Sequence, residues 1–253
     1  KTILNNFQEN KTSFGKSFSQ KRTIKLKNFK WQSLPWTQKE GEKIAKEING
    51  KLITEENATA NAIINYKNPK VLHIATHSFY FENRSKKNNQ KFPTITSSFN
   101  KNLLRFIDDE NPLLRSGIVL TGANYPEFNF DDDGYLTALE ISKLDWNSTE
   151  MVVVSGCQSG QGEVKNGESI YGLKRAIAVA GAKSSLLSLW EVDDEATYFF
   201  MKSFYEYLKK GIGRSDVLSR TQKEFRESKN KLWRHPYVWA AFQLSGDWRP
   251  IYF

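Results

Sequence analysis

The chain predicts an α/β fold with a mostly parallel central sheet and helices on both faces. Three observations carry this expectation. Apolar runs at 71–76, 116–121, 151–155 and 184–190, β-branched in the first three, read as strands. Helical patterns alternate with them, and strand–helix–strand alternation builds parallel sheets covered on both sides. No internal repeat of fixed period occurs, which excludes a solenoid or propeller.

In chain order, residues 1–35 read as an irregular lead-in, in which 23–27 alternates like a strand. A helix is expected over 37–49, with Thr37 as N-cap and Glu40 closing a capping box. A short strand at 51–54 and a second helix at 59–66 precede the 71–76 strand. Residues 81–112 are polar, rich in Lys, Asn and Ser, and read as a long mobile surface insertion. After the 116–121 strand come an acidic turn at 130–134 and a short helix at 136–144. The 151–155 run is the central strand. A helix over 168–180 is ended by Gly181. The 184–190 strand, an amphipathic helix at 194–210 stopped by Gly211, a helix at 215–227 capped by Ser215, and a last strand at 239–244 complete the order. The expected division is a 1–35 lead-in, the remnant of a longer upstream region, and one domain over 36–253. The opening on Lys1 is read as a fragment or processed product.

Composition narrows the function classes. With 253 residues, 39% hydrophobic and 13% aromatic, the chain can bury a sizeable core. No stretch is long and apolar enough to span a bilayer, and the polar start does not resemble a signal peptide. A single cysteine excludes an internal disulfide and fits a reducing compartment, so a cytoplasmic location is expected. The net charge of +9 reads as a solvated surface. No direct nucleic-acid partner is expected, because the aromatics near the basic clusters show no RNA-binding pattern.

Cys157 carries the chemistry. It follows the apolar 151–154 run and the Ser155-Gly156 turn, and a polar, Gly-rich stretch comes after it. His77 stands at the carboxyl end of the 71–76 strand. Carboxyl ends of parallel strands form the crevice where ligands collect in open α/β sheets, so both point to a Cys–His dyad. Each also has a plainer reading, since free cysteines are often buried and lone histidines are often structural. His73 shares the face of His77, and its apolar surroundings favour a buried role. His235 reads as a loop residue before Pro236. His73, His77 and Cys157 lack the ligand spacing of a zinc site. Neither a phosphate loop nor a Gly-x-Ser-x-Gly elbow occurs. In the 190–195 segment, Asp193 and Asp194 suit either helix capping or a pocket for a cationic side chain.

Seven segments together resemble the CHAT domain, the caspase-like domain often found behind tetratricopeptide repeats in bacteria. They are Ile74-Ala-Thr-His-Ser78, Leu136-Thr-Ala-Leu-Glu-Ile141, Val152-Val-Val-Ser-Gly-Cys-Gln-Ser-Gly160, Gly167-Glu-Ser-Ile-Tyr-Gly-Leu173, Ala180-Gly-Ala182, Leu189-Trp-Glu-Val-Asp-Asp-Glu-Ala-Thr197 and His235-Pro-Tyr-Val-Trp-Ala-Ala-Phe242. They run in the family's order over about 34–249. The resemblance implies a caspase-like fold and a cysteine endopeptidase, with His77 as the catalytic histidine and Cys157 as the nucleophile. It implies an oxyanion hole built from the backbone N–H groups of Ser78 and Cys157, where Ser78 replaces the family's usual glycine. Asp194, with Asp193 second, matches the acidic S1 floor of separase and implies cleavage after Arg or Lys. No metal or organic cofactor is required by that chemistry. The implied partners are a protein or peptide substrate and an upstream tetratricopeptide-repeat or other sensor region, in a signalling role. The alternative is an inactive caspase-like scaffold.

Overall fold

The computed structural model describes residues 30–80, 112–125, 132–156 and 168–253. The helices are α1 (Pro35–Ile48), α2 (Ala60–Asn65), α3 (Ala138–Ile141), α4 (Glu168–Val179), α5 (Asp194–Leu208), α6 (Arg214–Arg226) and α7 (Pro236–Trp239). The strands are β1 (Val71–Ile74), β2 (Ser78–Tyr80), β3 (Ser116–Val119), β4 (Tyr135–Thr137), β5 (Met151–Val154), β6 (Ser184–Ser188) and β7 (Phe242–Gly246). They form a four-stranded sheet in the order β1-β5-β6-β7 and a three-stranded sheet in the order β2-β3-β4.

The larger sheet is mostly parallel. β1 and β6 flank β5 in parallel, and only β7 runs against its neighbour β6. All four residues of β5 are buried, as an apolar run in a sheet covered on both faces should be. Side-chain alternation splits that run between two cores. Met151, Val153 and Leu186 pack with Ile44 of α1 and with Phe200, Phe204 and Leu208 of α5. Val152, Val154 and Leu187 pack with Ala176 and Ile177 of α4, Ile141 of α3, and Ile118 and Leu136 of the smaller sheet. Helices therefore cover both faces, as the alternation predicts.

Several predicted elements need correction. α1 starts at Pro35, with Leu34 as N-cap and no side-chain cap. Proline at the first helical position has no N–H to satisfy and a φ suited to a helix start. Thr37 Oγ1 donates to the Leu34 carbonyl, and Glu40 turns into the interior instead of closing a capping box. Thr137 and Glu140 form a capping box at α3. Residues 51–54 form no strand. Left-handed Asn49 and Glu55 bracket the segment, which lines a cavity of about 840 Å3 beside β1. The 136–144 prediction divides into the end of β4 and the short α3. α6 starts at Arg214, not Ser215, because the Arg214 guanidinium enters a buried site with Glu150 (2.6 Å) and the Asp247 carbonyl (3.0 Å). The last strand starts at Phe242, later than predicted, since His235 and Pro236 first initiate the turn of α7. The 23–27 strand, nearly all of the 81–112 insertion and part of the acidic turn lie outside the described residues.

Phe200 anchors the α5 side. It is fully buried, stacked on Phe242 at 4.3 Å and set edge-on to Phe225 at 5.1 Å. Phe200→Ala is expected to cost about 3–5 kcal/mol, read as a lower denaturant midpoint at unchanged slope.

Candidate active site

Parallel pairing from Val71–Met151 to Ile74–Val154 brings the carboxyl ends of β1 and β5 to one level. The chain leaves β1 through Ala75, Thr76 and His77, then enters the smaller sheet at Ser78. This crossing fixes the backbone of His77, whose carbonyl accepts the Val119 N–H at 2.8 Å. Its ring is half-buried, and its centroid lies 5.4 Å from that of Trp31. Nε2 lies 2.7 Å from the Gln32 carbonyl. A carbonyl only accepts, so Nε2 carries the hydrogen and Nδ1 holds the lone pair of the neutral ring. Trp31 is itself held, its indole N–H donating to the buried Tyr135 hydroxyl at 2.9 Å.

On β5, the Ser155 N–H donates to the Ile74 carbonyl at 3.2 Å, extending the ladder past the last strand pair. Gly156 then passes so close to the neighbouring strand end that a Cβ there would lie 1.1 Å from the Thr76 oxygen and 3.2 Å from His77 N. No other residue fits without moving the backbone. The Gly156 carbonyl also accepts the Ser188 hydroxyl at 2.8 Å, which ties in the end of β6. Cys157, one peptide bond further on, lies outside the described residues, as does the polar stretch after it.

Ser78 faces Ile118 in the β2–β3 pair. The adjacent bond runs from Val119 N–H to the His77 carbonyl. Ser78 thus occupies a non-hydrogen-bonded pair, with its own N–H turned away from β3. The described non-glycine residues at positive φ are Asn49, Glu55 and Asn68. Ser78 has negative φ, so its Cβ meets no penalty of handedness.

The two aspartates have different tasks. Asp193 is exposed and caps α5, its Oδ1 accepting the Ala196 N–H at 2.9 Å. Asp194 is half-buried, and its Oδ2 accepts the backbone N–H of Trp36 at 2.8 Å. Burial is the largest influence on its carboxyl and pushes its pKa above the ordinary value. The Trp36 bond opposes that shift, Glu40 and Asp193 add to it, and His77 pulls against it. Asp194 therefore lies in the electrostatic neighbourhood of the His77 ring. The Trp36 indole beside it packs on Tyr198 at 5.4 Å, with the Lys39 ammonium 3.8 Å from its centroid. His235 stays in a local role, accepting the Tyr237 N–H through Nδ1.

A family model described as the CHAT domain matches residues 6–247. The chain belongs to the CHAT domain family. Its architecture, a mostly parallel sheet flanked by helices, fits the caspase-like α/β fold of that family. This CHAT domain is also 35% identical over 112 residues to tetratricopeptide repeat protein 28 of Mus musculus, a match covering 44% of the chain and 4% of the relative. The Homo sapiens protein of the same name is 33% identical over 112 residues, with the same shares. The chain thus spans a small part of the curated relatives it matches. No helix among the described residues is long and apolar enough to cross a membrane.

Sequence reasoning missed the contributions of α1 and the segment before it. Gln32 and Trp36 act through backbone atoms, which leave no residue-type signal. Glu40 left one: it precedes Ile44 by four residues, on the same buried stripe of the helix.

The raised pKa of Asp194 gives a testable sign. A carboxyl raised on folding adds stability that is present in acid and lost as pH rises through the folded-state value. Asp194→Asn is therefore expected to melt at least as high as the parent at pH 7, with the gap closing on acidification. A lower melting temperature at pH 7 would show that the Trp36 bond outweighs burial.

Proposed function

We propose that this CHAT domain is a cysteine endopeptidase in which Cys157 and His77 form the dyad and Asp194 receives an Arg or Lys side chain. The observation that carries the reading is the contact of Gly156 with Thr76 and His77. Cys157 follows Gly156 by one peptide bond, and that close approach of the two strand ends supports pairing it with His77.

The Cys157 thiol gives its proton to Nδ1 of His77, and the thiolate attacks the scissile carbonyl carbon. The new C–S bond leaves the oxyanion facing the N–H groups of Ser78 and Cys157. Loss of one such donor typically costs about 10²–10³ in rate. The imidazolium then protonates the leaving amine as the C–N bond breaks. Water hydrolyses the thioester, again with His77 as base, and regenerates the thiol. The Gln32 carbonyl serves by holding the ring in the tautomer that presents Nδ1. Asp194 is suited to a guanidinium or ammonium group, because a cation would relieve the burial of its charge. The curated relatives are named for tetratricopeptide repeats, which supports control by such a region or another sensor upstream. A cytoplasmic setting suits a chain whose one cysteine must stay reduced.

Cys157→Ala is expected to abolish cleavage in a peptide library and labelling by a basic chloromethyl ketone, with the circular dichroism spectrum unchanged. Retained proteolysis would overturn the dyad, and a parent chain that neither cleaves nor labels would point to a scaffold. In the same library, Asp194→Ala is expected to remove the preference for Arg or Lys at P1. An unchanged preference would exclude Asp194 from the pocket.

A further inference from the structure

Beneath the rim lies a buried polar cluster with no part in the chemistry above. Glu40 of α1 is 1% exposed. Its Oε1 accepts from His73 Nε2 at 2.7 Å and from Ser155 Oγ at 2.5 Å. His73 Nδ1 lies 3.1 Å from the hydroxyl of Tyr205, a fully buried residue of α5. Glu40 Oε2 has no hydrogen-bond partner among the described residues.

Such an arrangement is expensive for a core, because buried carboxylates need full hydrogen bonding to offset desolvation. Its placement gives it a use. His73 is on β1, four residues before His77, and Ser155 directly follows β5 and precedes Gly156. Glu40 is in α1, whose first turn supplies the Trp36 N–H to Asp194 and whose lead-in supplies the Gln32 carbonyl to His77. One carboxylate oxygen thus joins both strand ends to the helix that orients the histidine and the acidic pocket.

We propose that Glu40 is a positioning residue, which through His73 and Ser155 sets the mutual placement of the His77 ring and the β5 strand end. This rests on the dyad reading above. Glu40 touches no substrate. A change in its bonds alters how the two rims meet, and errors of about 1 Å in reacting groups can cost about 10²-fold in rate.

The test uses the single cysteine of the chain, which makes alkylation unambiguous. The rate of iodoacetamide labelling is followed against pH for the parent, His77→Ala, Glu40→Gln and Ser155→Ala, each with its melting temperature. His77→Ala tests the dyad and is expected to slow labelling at neutral pH and move the profile toward that of a free thiol. Glu40→Gln is expected to slow neutral labelling by about ten-fold, equal to a displacement of about one pH unit. Ser155→Ala should move the profile the same way by less, and it carries the test if Glu40→Gln does not fold. Profiles of Glu40→Gln and Ser155→Ala that superimpose on the parent, while His77→Ala shifts, would overturn the positioning role alone. A profile unmoved in His77→Ala would overturn the dyad, and the positioning role with it.

Discussion

The level pairing of β1 with β5 is the constraint on which the site depends. Four consecutive parallel pairs carry the two strands to the same height, and the ladder continues one step further through Ser155. Gly156 then presses on the Thr76 carbonyl so closely that no side chain fits. A slip of one residue would turn every side chain of β5 to the opposite face. It would also pull Gly156 out of the contact and place Ser155 or residue 157 against Thr76. The apolar split of Met151 and Val153 from Val152 and Val154 prevents that slip, because each pair is buried in its own core. Packing deep in the sheet thereby determines which residue reaches the rim.

α1 is the second determinant. It packs along α5, and its two ends serve different purposes. Its interior face contributes Ile44 to the core, while its first turn and the preceding residues contribute polar backbone atoms to the rim. A helix start suits this work, since its first N–H groups lack partners within the helix. Trp36 N–H is one of these, and it finds the Asp194 carboxylate. Asp193, the N-cap just before α5, performs the ordinary capping task.

Much of this was legible in the sequence, and the limits have physical causes. β5 stood out because a buried parallel strand reads as a continuous apolar run, while β1 and β6 showed shorter apolar stretches interrupted by His73 and by serines. Their carboxyl ends pointed to His77 and the 190–195 segment as candidates. β2 and β4 did not stand out, because three residues are too few to show a period. The 51–54 run suggested a strand, but no strand among the described residues pairs with it. Ser215 and Thr37 looked like helix caps by residue type, yet a buried arginine and a proline moved both helix starts. Gln32 and Trp36 were invisible, since a backbone carbonyl and N–H belong to every residue type. Glu40 was half visible, as a carboxylate on an apolar stripe that local reasoning assigned to a cap.

The two ends of the larger sheet treat negative charge in opposite ways. At the amino end, Glu150 precedes β5 and meets Lys183 at 2.6 Å and Arg214 at 2.6 Å. The bond from Lys183 leads in holding its pKa below the ordinary value, with Arg214 adding to it, so the charged form is favoured. At the carboxyl end, Asp194 is raised by burial and by neighbouring acids, and Glu40 is buried with one oxygen that has no hydrogen-bond partner among the described residues. Sequences that specify a fold well break local rules mostly where function requires it. Here the disfavoured carboxylate, the Ser78 N–H outside its ladder and the crowded Gly156 lie at the carboxyl end of the sheet, with the buried Glu40 beneath them. The same sheet satisfies its acids where no ligand is expected. On the proposed reading, an Arg or Lys side chain would give Asp194 the counter-charge that Lys183 and Arg214 give Glu150.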